Sequence, residues 1–198
     1  MEVSNAFTDS IKQVLTIIGN GLFDERVLEF VAVKLNGSSY SFVLPSLPID
    51  RKTGLAALES LLVLLDKGVK VKVSMFFIDK EHVKSSENIE DWLKAHGFHI
   101  VRSRVLGRRA IMYVLMRGNK QVRLYIALSG RRRSVEEDIA TLYGLVYKRR
   151  IKADKARLKG KNLKELISKA SYKDVEKSFS GLARIIKEVE SGRAFKEL

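Results

Sequence analysis

The sequence predicts an α/β fold: a mixed sheet of about six strands with helices packed on it, followed by a helical C-terminal extension. An α+β arrangement is the alternative. Three observations carry this reading. The segment "VKVKVSMFFID" (69–79) alternates and then turns wholly apolar, the pattern of a central strand covered on both faces. Helical patterns flank it on either side, which gives strand–helix–strand units. Three short strands then follow one another closely over 99–128, as in a meander.

In chain order, a first helix is expected from about Val3 to Ile18. Val3, Phe7, Ile11, Val14 and Ile18 fall on one helical face, and Gly19-Asn20-Gly21 ends it. A hairpin is expected next. "RVLEFVAVKL" (26–35) and "SSYSFVLP" (38–45) flank Asn36-Gly37, a favoured type I′ turn, so that Val33 would face Tyr40 and Val31 would face Phe42. "IDRKTGLAALESLLVLLDKG" (49–68) reads as a helix closed by Gly68. After the central strand, "SSENIEDWLKAHGF" (85–98) reads as a helix with a serine near its start and Gly97 past its end. Strands at His99–Val105, Arg109–Met116 and Gln121–Leu128 are separated by turns at Gly107 and at 117–120. A helix over 135–150 and a lysine-rich helical tail complete the chain. Residues 1–150 form the core domain in this reading, and residues 151–198 a basic linker with the helical extension.

At 198 residues with 45% hydrophobic and 30% charged side chains, the chain can bury a core and is not disordered. It has no cysteine, which excludes disulfides, thiolate catalysis and cysteine-based zinc sites. Its N-terminus lacks a basic stretch ahead of an apolar core, and its apolar runs are too short to span a bilayer. The expectation is a cytoplasmic or nucleoid-associated protein with no membrane partner. The high charge is also compatible with a thermophilic source.

The net charge is +14, and it is segregated. Residues 102–161 carry eighteen Lys and Arg against four acids, and the remaining 138 residues balance at nineteen of each sign. Charge dispersed for surface ion pairs would alternate in sign. An excess confined to one window is the footprint of a polyanion. Nucleic acid, DNA first, is the expected partner.

Two features within the window locate the contact. Arg131, Arg132 and Arg133 precede a helix whose N-terminus is the positive end of its dipole, so they do not help it form. Ser134 and Glu137 provide a capping box, and Val135, Ile139, Leu142 and Val146 a buried stripe. The arginines therefore lie beside loop N–H groups where a phosphate can be held. Lys148, Arg149, Arg150 and Lys152 form a second cluster at the far end. In the meander, Arg102 and Arg104 share one strand face, and Arg123 and Tyr125 share another. Together they make a surface able to hold phosphates and stack a base.

In the tail, Asn162-x-x-Glu165 and Ser171-x-x-Asp174 look like helix caps. Tyr172, Val175, Phe179, Leu182, Ile186 and Val189 hold a 3-4 spacing. This stripe suits packing on the main domain or a homodimer contact. With Lys173 and Lys177 at the helix start, a helix-turn-helix is a third use.

Enzymatic alternatives are narrower. A metal-dependent nuclease would use carboxylates near the end of the central strand: Asp79 and Glu81, joined by Asp50 and Glu29, with Lys80 adjacent. Mg²⁺ is implied only in that case; otherwise no cofactor or metal is expected. Tyr143 and Tyr147, four apart on one helical face, resemble the paired nucleophiles of rolling-circle strand-nicking initiators. Those proteins pair them with two histidines separated by one apolar residue, whereas His96 and His99 are separated by two. No Gly-rich phosphate loop or serine triad is present. The sequence thus points to a binding protein rather than an enzyme, one that grips the phosphate backbone through residues 102–161.

Overall fold

In a computed structural model of the chain, residues 2–4, 13–35, 41–44, 52–153 and 161–192 are described. Two short apolar runs set the centre of the sheet. "QVLTII" forms β2 (Gln13–Ile18) and "VSMFFID" forms β4 (Val73–Asp79), and β4 is buried at all seven positions. Strands covered on both faces need apolar side chains on both, and these two lie side by side and parallel. β3 (Ser41–Val43) pairs parallel with β2, and β1 (Glu2–Ser4) pairs parallel with β3.

The meander supplies the other half. β5 (His99–Gly107), β6 (Ala110–Arg117) and β7 (Lys120–Ser129) pair antiparallel, and β7 lies parallel to β4. The sheet is mixed and seven-stranded, in the order β1-β3-β2-β4-β7-β6-β5.

Helices cover both faces. α1 (Leu22–Leu35) links β2 to β3 and packs Val27, Leu28, Val31 and Leu35 with Met75 and Phe77. A 3-10 turn (Gly54–Leu58) and α2 (Glu59–Asp66) link β3 to β4 and pack Leu58, Leu61 and Leu65 on the opposite face, with Phe76 and Ile78. The chain thus leaves β2 in one direction and returns on its other side. The carboxyl ends of β2 and β4 flank the resulting switch point. α3 (Ser86–Ala95) joins the α2 face and begins with a Ser85/Asn88 capping box. α4 (Val135–Tyr147), α5 (Lys161–Lys169), α6 (Tyr172–Ser178) and α7 (Ser180–Glu190) join the α1 face. No helix among the described residues is long and apolar enough to cross a membrane.

Three expectations are corrected. Residues 13–18 form a strand rather than the end of a helix over Val3–Ile18. A run of six mostly apolar residues satisfies a helical face and a two-sided strand equally, and burial on both faces decides for the strand. Second, residues 22–35 form a helix rather than a hairpin strand. The β-branched valines suggested a strand, but buried Val27, Leu28, Val31, Ala32 and Leu35 follow 3-4 spacing, and Asp24 and Glu25 fill the first turn. β3 is parallel to β2, and the Asn36-Gly37 turn and Tyr40 lie outside the described residues.

The third correction concerns the tail, whose stripe packs on the main domain, the first of its expected uses, rather than serving as a dimer contact. Val175, Phe179, Leu182, Ile186 and Val189 are at most 1% exposed inside the same chain's core, and only Tyr172, at 42%, remains at the surface. A stripe consumed by the core offers no dimer contact. Ser171 and Asp174 form the expected capping box, whereas Asn162 lies inside α5, one residue after its start. Gly181 lets α7 press on the sheet: a Cβ there would stand 2.4 Å from the Arg109 carbonyl oxygen and 2.9 Å from that of Leu128.

Candidate nucleic-acid interface

α4 forms because Val135, Ile139 and Leu142 recur on one face and are fully buried. Its 13 residues span roughly 20 Å. The start of the helix is capped from a neighbouring strand. Asp79, at the end of β4, accepts the Val135 N–H at 2.8 Å and the Ser129 hydroxyl at 2.5 Å on one carboxylate oxygen. Burial pushes the Asp79 carboxyl up to about 6, against the pull of these two bonds.

The capping box expected of Ser134 and Glu137 does not form. The Ser134 hydroxyl donates to Glu136 at 2.5 Å. The Glu137 carboxylate turns back and accepts the backbone N–H groups of Arg131, Arg132 and Arg133 at 2.7, 2.8 and 3.4 Å. Partial burial works to raise the Glu137 pKa. The three N–H bonds and the Arg132 charge outweigh it and hold the carboxyl below its usual range. The loop N–H groups assigned to a phosphate are therefore taken by an internal anion. Only the arginine side chains remain for a partner.

Those side chains are well placed. Arg131, Arg132 and Arg133 are exposed at one end of α4. Lys148, Arg149, Arg150 and Lys152 are exposed beyond the other end, where Lys148 adopts a left-handed backbone with φ of 56°. None of these seven forms an ion pair among the described residues. Other cations do: Arg117 meets Asp66 at 3.2 Å, Arg109 meets buried Asp138, and Arg104 meets Glu188 at 3.4 Å. The α4 clusters are thus exposed charge that no ion pair among the described residues consumes.

The meander residues converge as the alternation implied. Arg102 is in register with Val114 and Arg123, and Arg104 with Met112 and Tyr125, so all four site residues share one sheet face. Arg102 and Arg104 on β5 are exposed, but the β7 part of the face is not open. α7 lies over it, Arg123 is 5% exposed and Tyr125 2%, and a cavity of about 390 Å³ remains between helix and sheet. Burial raises the Tyr125 pKa, against the Arg123 guanidinium, which bonds its hydroxyl. Val101 does not share a face with Ser103 and Val105 as expected, because a register shift between Ile100 and Arg102 leaves it unpaired with β6.

Of the nuclease alternative's carboxylates, Glu81 lies close enough to Asp79 to help raise its pKa, but their surroundings differ. Asp79 is buried and engaged as a cap, Glu81 and Glu29 are exposed, and Asp50 lies outside the described residues. Among the described residues, no three His, Asp or Glu side chains gather as metal ligands. Tyr143 and Tyr147 do meet, with ring centroids 4.7 Å apart, and both pack on the α1 face. His96 instead stacks on Trp92, across the sheet.

The sequence pointed to Lys173 and Lys177 but not to the basic groove they belong to. Lys173, Lys177, Arg184 and Lys187 line a groove on α6 and α7, with Glu176 and Ser180. Acids nearby in sequence mask these cations in a charge count. Their recurrence at intervals of three, four and seven was the available signal.

Comparison with family models, curated proteins and solved structures finds no match for this chain.

Proposed function

We propose that this protein binds nucleic acid, DNA in the first instance, by holding backbone phosphates with the cations at the two ends of α4. The observation that carries this reading is the pair of clusters themselves. Arg131–Arg133 and Lys148–Arg150 are exposed, free of ion pairs among the described residues, and held apart by a helix roughly 20 Å long. Phosphates on one strand of a duplex recur about every 3.4 Å along the axis, so the clusters reach phosphates about six base pairs apart. Guanidinium forks match phosphate oxygens, and contacts of this kind set position rather than sequence. The rigid core beneath α4 keeps the spacing fixed.

Binding to labelled duplex DNA, single-stranded DNA and RNA, with and without Mg²⁺, tests the proposal. It expects saturable binding at low salt, loss at high salt, and intact substrate on a gel. Absence of binding to all three at low salt would end it. Mg²⁺-dependent cleavage abolished by Asp79→Asn would replace it with the nuclease reading.

A further inference from the structure

We propose that the cavity between α7 and the β5–β7 face is a separate binding site for a phosphate monoester on an apolar or aromatic body, the chemistry of a mononucleotide. The site does not depend on the grip assigned to α4. Its volume, about 390 Å³, falls within the range of small-molecule sites, about 300–1,000 Å³. Met112 and Val114 give it an apolar floor, and Arg102, Arg104, Arg123 and the Tyr125 hydroxyl give it polar groups. Gln121 of β7 and Glu188 of α7 also line it.

The charge selects the ligand. Three guanidiniums against one carboxylate leave two positive charges in the cavity wall. A phosphate monoester carries about −1.5 to −2 at pH 7 and balances them; a lone carboxylate balances only half. Glu188 offsets one of the three guanidiniums, and its Oε1 is shared by Arg104 at 3.4 Å and Arg184 at 3.2 Å. It also fixes the direction of Arg104.

Arg123 is the least expected residue. It is 5% exposed on a strand in the middle of the sheet. Burying a guanidinium is costly, and an apolar residue of similar length would pack there at lower cost. A local rule broken in this way, beside a cavity, marks a functional position. The ligand would come either free, as a mononucleotide, or as the 5′-phosphate end of a strand.

Titration calorimetry of the full chain tests the site. The probes are adenosine 5′-monophosphate, adenosine, inorganic phosphate, and a trinucleotide with and without its 5′-phosphate. Saturable binding of the monophosphate is expected, with adenosine weaker by about tenfold or more, as for loss of a charge-assisted contact. Arg102→Met, at an exposed position, should weaken the monophosphate by about tenfold with unchanged melting. Tyr125→Phe should weaken it less, and replacing Arg131, Arg132 and Arg133 by Ala should leave it unchanged. Competition by the 5′-phosphorylated trinucleotide alone would identify strand ends as the source, and failure of both trinucleotides to compete would identify the free nucleotide. Absence of monophosphate binding by the unmodified chain, or equal binding by Arg102→Met, would overturn the proposal.

Discussion

The Asp79 carboxylate accepts the backbone N–H of Val135 at 2.8 Å, so the end of β4 caps a helix that follows β7, the neighbouring strand. The bond ties two parallel strands together at their carboxyl edge. Because burial raises the Asp79 pKa from 3.8 to about 6, the folded state holds its proton more tightly than the unfolded chain. The associated stability is complete below pH about 4 and is lost as pH rises through about 6. The loss is roughly 2–3 kcal/mol. Asp79→Asn keeps an acceptor for Val135 and removes the titration. Urea melts should show the variant gaining stability over the parent between pH 4 and pH 7. Parallel pH profiles would contradict this.

Arg109 holds the C-terminal helices to the meander. It donates to Ser178 O at 2.7 Å and Ser180 Oγ at 3.1 Å, and it pairs with Asp138. Arg109→Met leaves Asp138, itself 2% exposed, without its cation, at a cost of roughly 3–5 kcal/mol. Adding Asp138→Asn should recover part of that loss. Simple additivity of the two changes in denaturation would show that the pair is not coupled.

The fate of the tail stripe is equally testable. Phe179 is 1% exposed, so Phe179→Ala should cost roughly 3–5 kcal/mol. Phe179→Asp should unfold the protein rather than yield a folded monomer. Gly181→Ala improves helix propensity, but the carbonyl oxygens facing its new Cβ should make it destabilising by about 1–3 kcal/mol. A folded, monodisperse Phe179→Asp protein would mean that the stripe does not belong to the core.

The legible parts of this fold are those where a single period decides. β4, α3, the meander and α4 were readable because alternation, helical periodicity and turn glycines agree there. β2 and α1 were not, because a short, mostly apolar run and a valine-rich amphipathic run satisfy both periods. Only the parallel neighbours of β2 and the cover of α1 break the tie. The convergence of Arg102, Arg104, Arg123 and Tyr125 followed from alternation alone. The roof over them did not, since no local pattern tells where α7 will dock. Likewise, the Ser134-x-x-Glu137 spacing suggested a capping box that does not form, and the cap comes instead from Asp79, 56 residues before Val135.

The slope of log affinity against log salt on duplex DNA tests the central claim most directly. Each phosphate neutralised contributes about −0.9 to that slope. Replacing Arg131, Arg132 and Arg133 by Ala should flatten it by roughly 2–3, weaken all sequences alike and leave the melting temperature nearly unchanged. Replacing Lys67, Lys70 and Lys72, which are exposed outside the basic window, should leave the slope as it was. Equal flattening by the two triplets, or none by the arginines in a folded protein, would contradict a phosphate grip at the end of α4.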